Sequence, residues 1–151
     1  MHETFAIARK NRESLQRFLE MYSLEQLNTT PPPFNNNLIW NLIHVVVTEQ
    51  LLIYGRSGLP MMVSDNLVAR FRGGTKPDIA VTQAEAEEIK NLLFSTIDKT
   101  EKDYNAGVFK TYDAFTTKSG FAINSAADAI NFNNYHEGVH MGVMLGIRKF
   151  V

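Results

Sequence analysis

Apolar residues recur at helical spacing over four long segments of the chain, with polar residues filling the faces between them. The first segment runs from about Thr4 to Leu27. Ala8, Leu15, Phe18, Leu19 and Tyr22 share one stripe, while Arg9, Lys10, Glu13, Arg17 and Glu20 lie largely away from it. Pro31, Pro32 and Pro33 then end any helix and force an extended connection. The second segment starts at an asparagine cap, Asn36 or Asn37, and ends at Tyr54. Its Trp40, His44, Val47, Leu51 and Tyr54 fall within one narrow arc, and Gly55, Gly58 and Pro60 stop the helix. The third opens at Thr82, where T-Q-A-E spells a capping box between Thr82 and Glu85. Acidic residues crowd its first turns and Lys99 and Lys102 its last, as the helix dipole favours. Its stripe is Ile89, Leu92, Leu93, Thr96, Ile97 and Tyr104, and Gly107 ends it. The fourth runs from Ser125 to Lys149, with Ala129, Phe132, His136, His140, Val143, Ile147 and Phe150 on one face.

Four helices of roughly 18 to 24 residues make an all-α four-helix bundle the expected fold, in a single domain over residues 1–151. The connection between the second and third helices, roughly 55–81, is long enough to cross the bundle. It contains a short helical stretch after Ser64 that Gly73 and Gly74 close. The segment from Val108 to Asn124 carries Phe109, Tyr112, Phe115 and Phe121. It is expected to be an ordered, aromatic-rich loop with a short extended piece, packed over one end of the bundle.

Composition narrows the function classes. Apolar residues make up 44% and charged residues 21%, a balance that belongs to a globular chain rather than a disordered one. The net charge of -1 leaves no basic excess to grip phosphates, so no nucleic-acid partner is expected. There is no cysteine, which removes disulfides, thiolate metal sites and a cysteine nucleophile together. The first residues, MHETFAIARKNRESLQ, lack the apolar core of a signal peptide. The most apolar stretch, NLIWNLIHVVVTEQLLIYG, is interrupted by Asn41, His44, Glu49 and Gln50 and reads as a buried amphipathic helix rather than a membrane span. A cytoplasmic protein with no membrane partner is the expectation.

The chemistry concentrates in histidine. His136 and His140 form H-E-x-x-H with Glu137, the spelling of zinc proteases. Only MGVMLGIRKFV follows His140, and it holds no His, Asp or Glu to act as third ligand. The extended protease motif also fails, because Val143 and Gly146 stand where Gly and the third His belong. A third ligand must come from upstream, and His44 sits on the core-facing arc of the second helix. Residues four apart on a helix project from one face, so His136, His140 and His44 can meet inside the bundle and leave metal positions open. The competing reading is three hydrogen-bonded core histidines. Glu137 lies about 100° around the helix from His136. It either flanks the site or turns to solvent or a neighbouring helix. Asn133, one turn earlier, would orient a ligand or bond His44. Gly138, Gly142 and Gly146 line the opposite side, and each costs about 1 kcal/mol relative to Ala. They predict a close helix crossing at Gly142, either within the bundle or with a second subunit.

Three stretches carry a family likeness: NNLIWNLIHVVVTEQLLIYGRSGLP, ARFRGGTKP and INFNNYHEGVHMGVMLGIRKFV. Together they resemble the DinB-like (DinB/YfiT) superfamily of small metal-binding four-helix bundles. The resemblance implies a divalent metal, commonly nickel or zinc, held by His44, His136 and His140. It implies a homodimer as well. Characterised relatives include transferases and isomerases that work with low-molecular-weight thiols such as bacillithiol or mycothiol, while other members have no known activity. The expectation is a metal-dependent enzyme, a thiol-dependent transferase (or a hydrolase) acting on a small electrophile. The alternative is a non-catalytic metal-binding or stress-associated protein of the same fold. No catalytic acid or base is identified. Trp40, Thr48, Asn133 and Glu137 are the candidate pocket residues, with Tyr54 and Tyr135 beside them.

Overall fold

Six helices and one small hairpin make up the computed structural model, which describes residues 1–151. In chain order they are α1 (His2–Met21), α2 (Leu24–Asn28), α3 (Leu38–Ile53), α4 (Asp65–Phe71), α5 (Gln83–Asn105), β1 (Phe115–Thr116), β2 (Ala122–Ile123) and α6 (Ala126–Ile147). The long helices α1, α3, α5 and α6 form the four-helix bundle. Both α1 and α3 pack on α5 and on α6, so α1 and α3 sit diagonally across the core.

The first helix is not continuous to Leu27. It breaks at Ser23, whose extended backbone starts α2 with its own capping box. Gln26 N donates to Ser23 Oγ at 3.2 Å, and Ser23 N donates to the Gln26 side chain at 3.0 Å. The local S-L-E-Q signal overrides the longer apolar stripe. The other starts follow the same logic. Asn37 caps α3 by accepting from Trp40 N at 2.9 Å, Thr82 and Glu85 form the expected capping box on α5, and Ser125 caps α6. Gly107 ends α5 with φ of +66°, a conformation that costs glycine least.

Leu38 to Val47 are buried on every side, which makes α3 the central helix. By length and composition Leu38–Ser57 is apolar enough to cross a membrane, yet 78% of its most apolar window is buried in this fold. The segment between α5 and α6 is the expected ordered loop, with one short antiparallel hairpin pairing Phe115 with Ile123 and Thr116 with Ala122. Tyr112 donates to Leu52 O at 3.0 Å and Asp113 N to Arg56 O at 2.7 Å, so the loop is tied to the C-terminal end of α3.

Two expectations about α6 change. Its most buried stripe runs through Ala126, Ala129, Ile130, Asn133, Glu137, Met144 and Ile147, beside the histidine face rather than along it. His136 and His140 are half-buried, and Phe150 is exposed. The glycine stripe makes no close crossing within the chain. A Cβ added at Gly138 or Gly142 would meet nothing, and at Gly146 it would touch only the Phe34 ring, at 3.4 Å. The intramolecular form of that expectation is therefore wrong: a loop aromatic, not a helix, covers the last glycine.

Candidate metal centre

His44 comes from the middle of α3, and His136 and His140 come from one face of α6. These two helices pack directly together, which brings three imidazoles into one space. Ring centroids lie 4.5 Å apart for His44–His140 and His136–His140, and 5.1 Å apart for His44–His136. One nitrogen from each ring falls within 4.8 Å of the others.

Hydrogen bonds outside the cluster set which nitrogens remain free. His44 Nδ1 lies 2.7 Å from Phe71 O at the end of α4. A carbonyl only accepts, so Nδ1 carries the proton and Nε2 keeps its lone pair. His140 Nδ1 lies 2.8 Å from Asn41 Oδ1. Asn41 Nδ2 is committed to Asn37 O at 2.7 Å, so its oxygen faces the ring and His140 also keeps Nε2 free. Partners of this kind orient metal-binding histidines and raise their basicity. His136 Nδ1 is buried and has no hydrogen-bond partner. Such an orphan is costly unless something else satisfies the ring. A cation ligated by the three imidazoles fits this donor set: neutral nitrogens, two of them already oriented.

The rings are held neutral. Burial, then the charges of His140, His44 and Arg12, pushes His136 down to about 3. Burial, then His44, pushes His140 down to about 4. Burial lowers His44 as well, against the bond to Phe71 O. At neutral pH all three present lone pairs, the form a metal requires. Trp40 stacks on His44 with centroids 4.5 Å apart and planes at 11°.

A cleft of about 770 Å³ opens beside the cluster, with His44, His136 and Thr48 on its wall. Leu51, Leu52, Phe115 and Phe132 give it apolar sides, and Arg56, Asp113 and Lys118 stand among its polar lining. Its size suits a small-molecule ligand.

A sequence profile of the DinB superfamily matches residues 7–144, a span that contains all three histidines. The chain belongs to the DinB superfamily. No match was found among the curated proteins.

Within this DinB fold the candidate pocket residues separate. Thr48 lines the cleft, with Oγ1 3.3 Å from His44 Nε2. Trp40 lies behind the cluster, and its Nε1 donates to Thr75 Oγ1 at 3.2 Å. Asn133 is buried and donates to Glu137 Oε1 at 2.8 Å rather than to His44. Glu137 turns to neighbouring helices, not to solvent: Arg12 Nη2 lies 2.6 Å and Nε 2.8 Å from its Oε1. Tyr54 donates to Asp103 at 2.8 Å, and Tyr135 is exposed against Phe121 and Phe132.

Several important residues escaped the sequence. Arg12, Glu49 and Glu137 form a fully buried charge cluster, with Arg12 Nη2 3.5 Å from Glu49 Oε2. Burial lowers the Arg12 pKa, but Glu137 and Glu49 outweigh it and hold the guanidinium charged. Burial raises the Glu49 pKa against the attraction of Arg12. Arg12 carried a signal, since Phe5, Ala8, Arg12 and Leu15 keep the three-four-three spacing of a core stripe. Asn41 and the Phe71 carbonyl carried none, because their roles arise only when α3 meets α4 and α6.

Proposed function

We propose that this DinB-superfamily chain is a metal-dependent enzyme, a thiol-dependent transferase acting on a small electrophile, with nickel or zinc on His44, His136 and His140. The observation that carries the reading is the three-imidazole cluster, two of whose rings, His44 and His136, line the wall of a substrate-sized cleft. A divalent cation there would supply Lewis acidity that favours the thiolate form of a bound thiol. The chain's own residues do the rest. Asn41 and Phe71 O orient two of the rings, Trp40 shields His44 from behind, and Leu51, Leu52 and Phe132 keep water from one side of the cleft. In the transfer the thiol sulfur bonds to the electrophilic carbon, the thiol proton passes to solvent, and the leaving group takes the electron pair of its bond. The working unit in this proposal is a homodimer, supported by the open glycine face of α6.

One observation favours a second reading, a non-catalytic or stress-associated metal binder. Glu137 and Glu49, the acids closest in sequence to the ligands, both turn into the core, so neither offers a general base at the cluster. The two readings separate by experiment. Metal content measured on purified wild type, His44→Ala and His136→Ala should show metal in the first and loss in both variants. Metal retained in both overturns the site. Metal-loaded wild type should then conjugate glutathione to 1-chloro-2,4-dinitrobenzene, and chelation should stop it. Tight metal binding without conjugation of such thiols supports the second reading.

A further inference from the structure

The cleft carries charge that the histidine cluster does not use. Arg56 and Asp113 form an ion pair, and the Arg56 guanidinium also sits 4.3 Å over the Phe115 ring. That pair is neutral as a unit and is fixed on both sides. Lys118 is different. It lines the same cleft and forms no ion pair. Of the three side chains of formal charge in its lining, Arg56 and Asp113 are paired with each other, and Lys118 alone has no partner.

The turn that carries Lys118 has a defined backbone. It stands in the turn of the β1–β2 hairpin, where Thr117 N donates to Phe121 O and Gly120 N donates to Thr117 O, each at 2.9 Å. Gly120 takes φ of +89°, which lets the turn close tightly. Thr117 Oγ1 accepts from Phe121 N at 3.0 Å and also contacts Ser119 Oγ at 3.1 Å. The hairpin is tied to the end of α3 by Tyr112 and Asp113. An ammonium without an ion-pair partner, lining a concave site with apolar walls, focuses its field into the cleft and attracts an anion.

We propose that the cleft selects ligands with an apolar body and an anionic end, and that Lys118 is the residue that determines this specificity. The apolar body lies against Leu51, Leu52, Phe115 and Phe132, and the anionic end pairs with the Lys118 ammonium. Arg56, already held by Asp113 and Phe115, acts as a fixed wall. The inference rests on the cleft being the substrate site, as in the function proposed above, but it does not require the metal.

The test uses 4-phenylbutyrate and its neutral counterpart 4-phenylbutan-1-ol as probes, titrated calorimetrically at neutral pH into the full chain. Wild type should prefer the carboxylate about 2- to 5-fold, the range of a solvent-exposed charge pair. The preference should shrink in high salt, vanish in Lys118→Gln and survive in Lys118→Arg. Lys118 is an exposed turn residue, so unchanged helical circular dichroism should accompany the loss. Equal affinities in wild type, no binding of either probe, or a preference that persists in Lys118→Gln overturns the proposal; persistence would place the carboxylate on the histidines or Arg56. Measuring metal-free and zinc-loaded protein separates the two ideas. A Lys118-dependent preference in metal-free protein stands even where thiol transfer fails, and transfer without any preference leaves the metal reading intact.

Discussion

A single amide decides how one of the three imidazoles presents itself. Asn41 is fully buried, accepts from His140 Nδ1 at 2.8 Å and spends its own N–H on Asn37 O at 2.7 Å and on Asn36 Oδ1 at 3.2 Å. Removing such a partner frees the ring to rotate and lowers its basicity. Asn41→Ala should therefore weaken metal affinity by about 10- to 100-fold while the helical content stays intact. Competition against a chromophoric chelator reads the affinity, and Asn41→Asp, which keeps an acceptor toward the ring, should restore most of it. Unchanged affinity in Asn41→Ala would remove this residue from the site. The contrast between ligands and their partners shows what a sequence displays. The histidines were legible because a four-residue spacing and a polar group on an apolar arc are patterns within one helix. Asn41 lies three residues before His44, on another part of α3, and reaches the site only through α6. Phe71 contributes a backbone carbonyl, which no residue type announces. Lys118 and Phe115 reach the cleft because a loop folds back over α3, and loop placement has no periodic signature.

Between helices, the buried cluster of Arg12 on α1, Glu49 on α3 and Glu137 on α6 ties three elements of the bundle together. One cation and two carboxylates in a dry core leave one negative charge too many. The geometry ranks the two acids as partners of Arg12. Glu137 takes the short contacts from Arg12, while Glu49 stands 3.5 Å off and accepts from Thr100 Oγ1 at 2.7 Å. Burial raises the Glu49 pKa, so the folded state holds this proton to a higher pH than the unfolded chain, which releases it around the ordinary value of 4.5. The stability this group contributes is full below that pH and is lost as pH rises through the folded value. Glu49→Gln, which mimics the protonated acid, should flatten that slope and leave stability near neutral pH unchanged or higher. Glu137→Gln strips Arg12 of its paired charge and should cost about 3–5 kcal/mol. Urea unfolding of both variants across pH gives the comparison, and equal losses would mean that Glu49 carries charge as well. The same cluster explains why H-E-x-x-H misleads here. Its glutamate is held by the fold one step around the helix from the histidine face. Only Arg12, standing in an otherwise apolar stripe of α1, hinted that a buried partner was waiting.

For the molecule as a whole, the unresolved cost is the glycine face of α6. Gly138 and Gly142 have open space where a Cβ would sit, so nothing inside the chain requires glycine there. Each sacrifices about 1 kcal/mol of helix stability relative to alanine, and the proposed homodimer would offset it by a close approach from outside. Tyr135, Val139 and Leu145 are exposed on the neighbouring turns, which gives that side of α6 apolar area to bury. In the proposed homodimer, α6 crossing α6 of a second copy would use both features at once and would leave the histidine face free. Sedimentation velocity should then report a particle of two 17.1 kDa chains for wild type and a monomer for Gly142→Leu. The variant should keep its metal content, because Gly142 lies on the side away from His136 and His140. Gly142→Ala is the sharper arm. In a monomer the added methyl meets nothing and should stabilise the helix by about 1 kcal/mol. In a close dimer the same methyl separates the two backbones and shifts the equilibrium toward monomer. A wild-type particle of one chain, together with a stabilised Gly142→Ala, would show that the face is solvent-exposed and that dimerisation has no part in the site.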